Sequence, residues 1–128
     1  MTTSPLSTTF EDHVSLMSHE DPQALILGWW CRLERALRYY YVAYFGEHPP
    51  SAFVAIELVA NDVRIAPSTI DAVHRLRIKR NRLTHGQIHV SSPEEAAEYA
   101  AEANALIWQI GNCVPDDLAL SSGAARVA

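Results

Sequence analysis

Five of the ten basic residues of this 128-residue chain, Arg75, Arg77, Lys79, Arg80 and Arg82, fall within eight positions, with His74 and His85 beside them. Such clustering is the footprint of a phosphate or carboxylate site, although a solvated helix face has the same composition. Within the cluster, Arg80, Asn81 and His85 have the side chains for chemistry on an anion. Arginine grips an anion bidentately without losing its charge, and histidine, which ordinarily titrates at about 6.5, serves as acid or base.

Helical spacing assigns these residues to faces. At about 100° per helical residue, Val73, Leu76, Arg80 and Leu83 form one stripe, while Arg75, Lys79 and Arg82 project from the other side. Arg80 thus sits in an apolar face. An unpaired guanidinium there costs several kcal/mol, so it either bridges to a carboxylate such as Glu34 or Glu57 or lines a cleft. Asn81 and His85, four apart, share a face, whereas Arg80 and His85 diverge by about 140°. They converge only if the helix ends at His85-Gly86 or if the same motif of a second chain lies opposite across a two-fold axis.

The elements that must hold these residues read as helical throughout, with no alternating run long enough for a sheet. The first runs from about Pro22 to Phe45, with Asp21 as N-cap, Pro22 at the first helical position and Gly46 as the stop. Its apolar residues Ile26, Trp30, Leu33, Leu37, Tyr40 and Tyr44 follow a 4-3-4-3-4 spacing, the pattern of a bundle seam. A second helix spans Ser51 to about Ile65 and ends at Ala66-Pro67. Ser68, with Asp71 three residues later, caps a third that reaches about His85, with Gly86 as its C-terminal stop. Ser92, Pro93 and Glu95 open a fourth that continues to Gly111. The fold class is all-α, a four-helix up-and-down bundle. Residues 1–18 read as a flexible N-terminal segment, 19–113 as the helical domain and 114–128 as a C-terminal turn and mobile tail.

Composition sets the outer bounds. With 48% hydrophobic residues the chain fills a core without disulfides or a structural metal. No stretch of 18 apolar residues occurs, and the first residues lack both the basic and the apolar regions of a signal peptide, so a cytoplasmic location is expected. Cys31 and Cys113 read as two reduced small hydrophobes. A net charge of -5 argues against non-specific coating of nucleic acid. His85 and His89 are four apart, but Gly86 interrupts the helix between them and no carboxylate completes a site, so neither metal nor other cofactor is expected. His13, His19 and His48 are expected to be exposed. Trp29, Tyr39 and Tyr41 lie off the seam of the first helix and are candidates for a dimer surface. No P-loop, dinucleotide fingerprint or nucleophile elbow is present.

Arg80-Asn81-Arg82-Leu83-Thr84-His85-Gly86 resembles the R-(polar)-x-x-x-H signature of HEPN domains (higher eukaryote and prokaryote nucleotide-binding). The order of helices across about residues 20 to 112 is similar to that family as well. The resemblance implies a dimerising four-helix domain in which the Arg80 and His85 of both chains line one cleft. For active members it implies a metal-independent endoribonuclease, often a toxin or defence effector with a neutralising antitoxin partner. A subset of the family carries a tyrosine two residues after the histidine, where this chain has Gln87. On this reading Arg80, His85 and Asn81 are catalytic, and Arg77, Arg82, Lys79 and His74 contact RNA phosphates. The other reading is a non-catalytic nucleotide-binding or protein-interaction module built on the same Arg-Asn-His group. The chemistry fits the residue types: attack of a 2′-hydroxyl on its own phosphate needs a proton acceptor, a donor for the leaving oxygen and a fixed positive charge.

Overall fold

The computed structural model describes residues 9–47, 51, 56–57, 64–89 and 92–114. Among them are four helices and no strand: α1 (Phe10–Glu20), α2 (Pro22–Phe45), α3 (Pro67–Thr84) and α4 (Pro93–Gly111). The all-helical bundle is as expected, but its membership differs at one place. Helix α1 occupies ground read from sequence as flexible, and the expected helix from Ser51 to Ile65 lies largely outside the described residues, with Ile56 and Glu57 helical within it.

α1 forms because its start is capped on both sides. The Asp12 N–H donates to Thr9 Oγ1 at 3.2 Å, and the Thr9 N–H donates to Asp12 Oδ2 at 3.3 Å, so two orphan donors of the first turn find acceptors. Its apolar side then docks: Val14 is buried, and the Phe10 ring meets Trp29 edge-on at 5.0 Å. That contact corrects the expectation for Trp29. This tryptophan is buried, with Phe10 of α1 against its ring and the Arg32 guanidinium over it at 4.5 Å, and Tyr41 is buried as well. Neither offers a dimer surface. The exposed tryptophan is Trp108 on α4.

α2 has the termini the sequence predicts. Asp21 Oδ1 accepts from the Ala24 N–H at 3.0 Å, Pro22 opens the first turn, and Gly46 closes the helix at φ 77°, a conformation glycine adopts without steric cost. The seam residues Ile26, Trp30, Leu33, Leu37 and Tyr40 are all buried. Tyr44 at the end of the stripe is half-buried, donates its hydroxyl to the Cys113 carbonyl, and carries the Arg64 guanidinium over its ring at 3.8 Å. α2 packs chiefly on α4, with α1 and α3 each resting on both. The alanines Ala96, Ala100 and Ala103 are fully buried in α4, where their small side chains let the backbones approach.

α3 begins two residues earlier than expected. Its N-cap is Ala66, which makes no side-chain cap bond, and Pro67 is the first helical residue. Proline both ends a preceding helix and pre-sets φ for the first turn of a new one, and here it does the second. Ser68 therefore lies inside the first turn. Four contacts fix how α3 lies on α4: Thr69 Oγ1 to Gln109 Oε1 at 2.8 Å, Arg75 to Glu102, Tyr99 Oη to the Leu76 carbonyl at 3.0 Å and Lys79 Nζ to Glu95 Oε1 at 2.8 Å. Rising numbers on one helix meet falling numbers on the other, so the pair is antiparallel. No helix among the described residues is long and apolar enough to cross a membrane.

Candidate functional site

The candidate site is the C-terminal half of α3, and its position follows from how that helix stops. The Gly86 N–H donates to the Leu83 carbonyl at 3.1 Å and the Gln87 N–H to the Arg82 carbonyl at 2.8 Å, with Gly86 at φ 70°. These are the two crossed bonds of a Schellman ending. They fix His85 as the capping residue, still near-helical at φ -87° and ψ 7°, with its ring exposed.

Arg80 is held from within its own helix. The guanidinium Nη1 donates to Asn81 Oδ1 at 3.0 Å, while Thr84 Oγ1 donates to the Arg80 carbonyl at 2.9 Å. Asn81 links both ends of the motif. Its side chain orients Arg80, and its backbone carbonyl accepts the His85 N–H at 3.0 Å. Both Arg80 and Asn81 are half-buried, between the apolar stripe of Val73, Leu76 and Leu83, all three buried, and the solvent.

The charge environment separates Arg80 from its neighbours on α3. Arg75 pairs with Glu102 and Lys79 with Glu95, both carboxylates coming from α4. Among the described residues no carboxylate lies within ion-pair distance of Arg80. The expected partner Glu34 lies 3.6 Å from Arg38 on its own helix. Behind Arg80, burial pushes the Tyr99 phenol far above its ordinary range, and the positive charge of Arg80 pulls only partly the other way. Tyr99 is thus a neutral donor, bonded to the Leu76 carbonyl.

The structure divides the sequence-predicted residues into two groups. Arg80 and Asn81 are joined on one flank of α3, with half-buried Arg77 one turn earlier. Lys79 and Arg82 project from the side opposite Arg80, where with His74, Arg75 and Ile78 they line a groove of about 540 Å³ closed by Ile88 and Glu95. His85, three residues after Arg82, belongs by helical position to the groove face. No hydrogen bond joins the His85 ring to Arg80 among the described residues, as the 140° divergence requires. The sequence reading missed Glu95 and Glu102 as partners of the basic cluster. No local pattern pairs them: the two glutamates are seven apart on α4 and the two cations four apart on α3, and only the antiparallel packing of the helices brings them together.

Among the described residues no group of three or more His, Cys, Asp or Glu side chains could hold a metal ion. Cys31 and Cys113 are both thiols, not joined in a disulfide. No protein-family model, curated protein or solved structure matches the chain.

Proposed function

We propose that this chain is a HEPN-like, metal-independent endoribonuclease, in which Arg80 and His85 of two protomers form one RNA-cleaving site. The observation that carries the reading is the state of Arg80. Of the five cations of α3, Arg75 and Lys79 each hold a carboxylate of α4, whereas Arg80 is half-buried, oriented by Asn81 and without a carboxylate partner among the described residues. A guanidinium so placed is ready for a phosphate, which offers bidentate geometry and the missing negative charge.

The chemistry needs three parts. A base takes the proton of the RNA 2′-hydroxyl as its oxygen attacks the adjacent phosphorus. The leaving 5′-oxygen receives a proton, and a fixed cation stabilises the charge gathered on the phosphorane. His85, exposed at the helix end, supplies acid and base, one imidazole from each protomer. Arg80 supplies the cation, and Asn81 holds it. The products are a 2′,3′-cyclic phosphate and a free 5′-hydroxyl, with every proton accounted for. Because Arg80 and His85 diverge on one helix, the site is complete only across a two-fold axis. A cytoplasmic location, a toxin or defence role and a neutralising antitoxin partner belong to the same reading through the resembled family. The same divergence favours the second reading, a non-catalytic nucleotide-binding or interaction module.

Incubation of purified wild-type and His85→Ala proteins with total RNA in EDTA, followed by analysis of fragment ends, decides between them. The expected result is cleavage leaving 2′,3′-cyclic ends, lost by at least a hundred-fold in the variant, the order of a general acid-base contribution. Intact RNA with a folded wild-type protein favours the binding module.

A further inference from the structure

Helices α1 and α4 frame a second groove, of about 360 Å³, on a different side of α4 from the one that meets α3. Phe10, Val14 and Ala97, buried or half-buried, form its floor with Ala101, and Glu11 and Glu94 stand exposed at its rim. The apolar surface does not end with the groove. At about 100° per residue, Trp108 lies within about 20° of both Ala97 and Ala101 on α4, and Ala105 falls between Ala101 and Trp108 along the axis. Trp108 is 67% exposed, more than any other large hydrophobic side chain among the described residues, and Ala105 is exposed as well. The strip from Ala97 to Trp108 runs about 16 Å at the helical rise of 1.5 Å per residue.

Its edge is uniformly acidic. Neither α1 nor α4 carries a lysine or arginine. Glu11, Glu94 and Glu98 are exposed and pair with no cation among the described residues. Glu11 and Glu94 lie in first turns, where a carboxylate also suits the helix dipole, but Glu98 lies beyond the first turn and has no such reason. An apolar strip edged by carboxylates fits a ligand that is apolar on one side and cationic along its flank. Length and floor narrow the class further. The small side chains of Ala97, Ala101 and Ala105 let a third helix approach to the usual spacing of about 8 to 10 Å between axes. A small organic cation fills the groove but leaves Trp108, about 10 Å beyond Ala101, uncovered.

We propose that this surface docks a cationic amphipathic helix of a second protein, with its apolar stripe on Ala97, Ala101 and Trp108 and its lysines or arginines against Glu11, Glu94 and Glu98. The mode is that of a helix laid in a groove, in which apolar anchors give affinity and flanking charges give orientation. It is independent of the ribonuclease reading, since no residue of α3 takes part.

The probe is a synthetic peptide of about 14 leucines and lysines, four helical turns, ordered so that the leucines share one face. It contains no tryptophan, and Trp29 and Trp30 are buried, so acrylamide quenching of the protein's fluorescence reports on Trp108. The peptide is expected to shield Trp108 from quenching and to saturate at one peptide per chain. A peptide of the same composition in scrambled order, and one with glutamate in place of lysine, are each expected to bind at least about ten-fold more weakly. Ala101→Arg, which sets bulk and like charge on the floor, is expected to weaken binding about ten-fold, and Glu94→Gln with Glu98→Gln about five-fold with less dependence on salt. Trp108→Phe keeps an apolar anchor and is expected to retain binding, read by anisotropy of labelled peptide, while losing the quenching signal. All these positions are exposed, so each variant should melt with the wild type. Equal binding of the ordered and scrambled peptides overturns the docking site in favour of a diffuse negative field, and unchanged binding in Ala101→Arg overturns it by moving the peptide elsewhere. Quenching of free wild type no greater than that of Trp108→Phe also overturns it, because Trp108 is then already covered within the chain or by a second copy. A dimer in sedimentation that Ala101→Arg dissociates assigns the surface to a second copy, with the same consequence.

Discussion

Arg80 and Lys79 are adjacent in sequence and opposite in circumstance. Lys79 reaches across to Glu95 at 2.8 Å with both side chains about one-third exposed or less, while Arg80 turns back to its own neighbour Asn81. The difference follows from where α4 lies, since Glu95 and Glu102 come to the face of α3 that carries Lys79 and Arg75 and not to the one that carries Arg80. Tyr99 shows the opposite balance, a phenol whose neutral form is enforced by burial. Its pKa is raised in the folded chain relative to about 10 when unfolded, so its contribution to stability is fully present below pH 10 and is lost as pH rises beyond. Tyr99→Phe is expected to destabilise by about 1 kcal/mol at neutral pH, from the lost bond to the Leu76 carbonyl, and to flatten the alkaline decline of stability. Denaturant unfolding of both proteins at neutral pH and above pH 10 checks this, and parallel declines would refute the assignment.

At the scale of elements, the end of α3 is the part that sets the candidate site. The crossed bonds from Gly86 and Gln87 place His85 at the last near-helical position, and glycine is required because Gly86 has a φ of 70°. A Cβ added there meets no atom within 4 Å, so the cost of substitution is backbone strain alone. Gly86→Ala is expected to cost about 1 kcal/mol, seen as a lower melting temperature, with part recovered in Gly86→Asn because asparagine tolerates the left-handed region. An unchanged melt in Gly86→Ala would show that the ending is not held as described. The start of α1 is governed by the same kind of local bonding, the reciprocal pair between Thr9 and Asp12.

For the whole molecule, charge is sorted by helix. α3 carries five cations against Asp71, while Glu94, Glu95, Glu98 and Glu102 of α4 stand without a single lysine or arginine on that helix. A chain of net charge -5 thereby presents one locally positive side, the only arrangement in which an acidic protein attracts an anionic strand at short range. The proposed composite site adds a requirement on assembly. Sedimentation equilibrium is expected to show a dimer at the concentrations where RNA is cleaved, and a strict monomer that cleaves would refute the two-chain site.

Much of this is legible in the chain itself, for a physical reason. Asp21-Pro22, Gly46, Gly86 and Ser92-Pro93 act over four residues or fewer, so caps and stops are written locally, and the 4-3 spacing of Ile26 to Tyr40 names the buried face whatever it packs against. Pro67 is ambiguous because proline serves an ending and a beginning equally. α1 is legible in the Thr9-Asp12 pair but short, and what holds it is Phe10 on Trp29, a contact between separate helices. The sequence by itself determined the all-helical character of the described residues, where α2 and α4 begin and end and where α3 ends, and which residues could do chemistry on an anion. Only the tertiary structure decided which cations of α3 are neutralised by carboxylates of α4. That choice depends on Glu95 and Glu102 meeting Lys79 and Arg75 across an antiparallel seam, and such long-range pairing is set by packing geometry that no local pattern encodes.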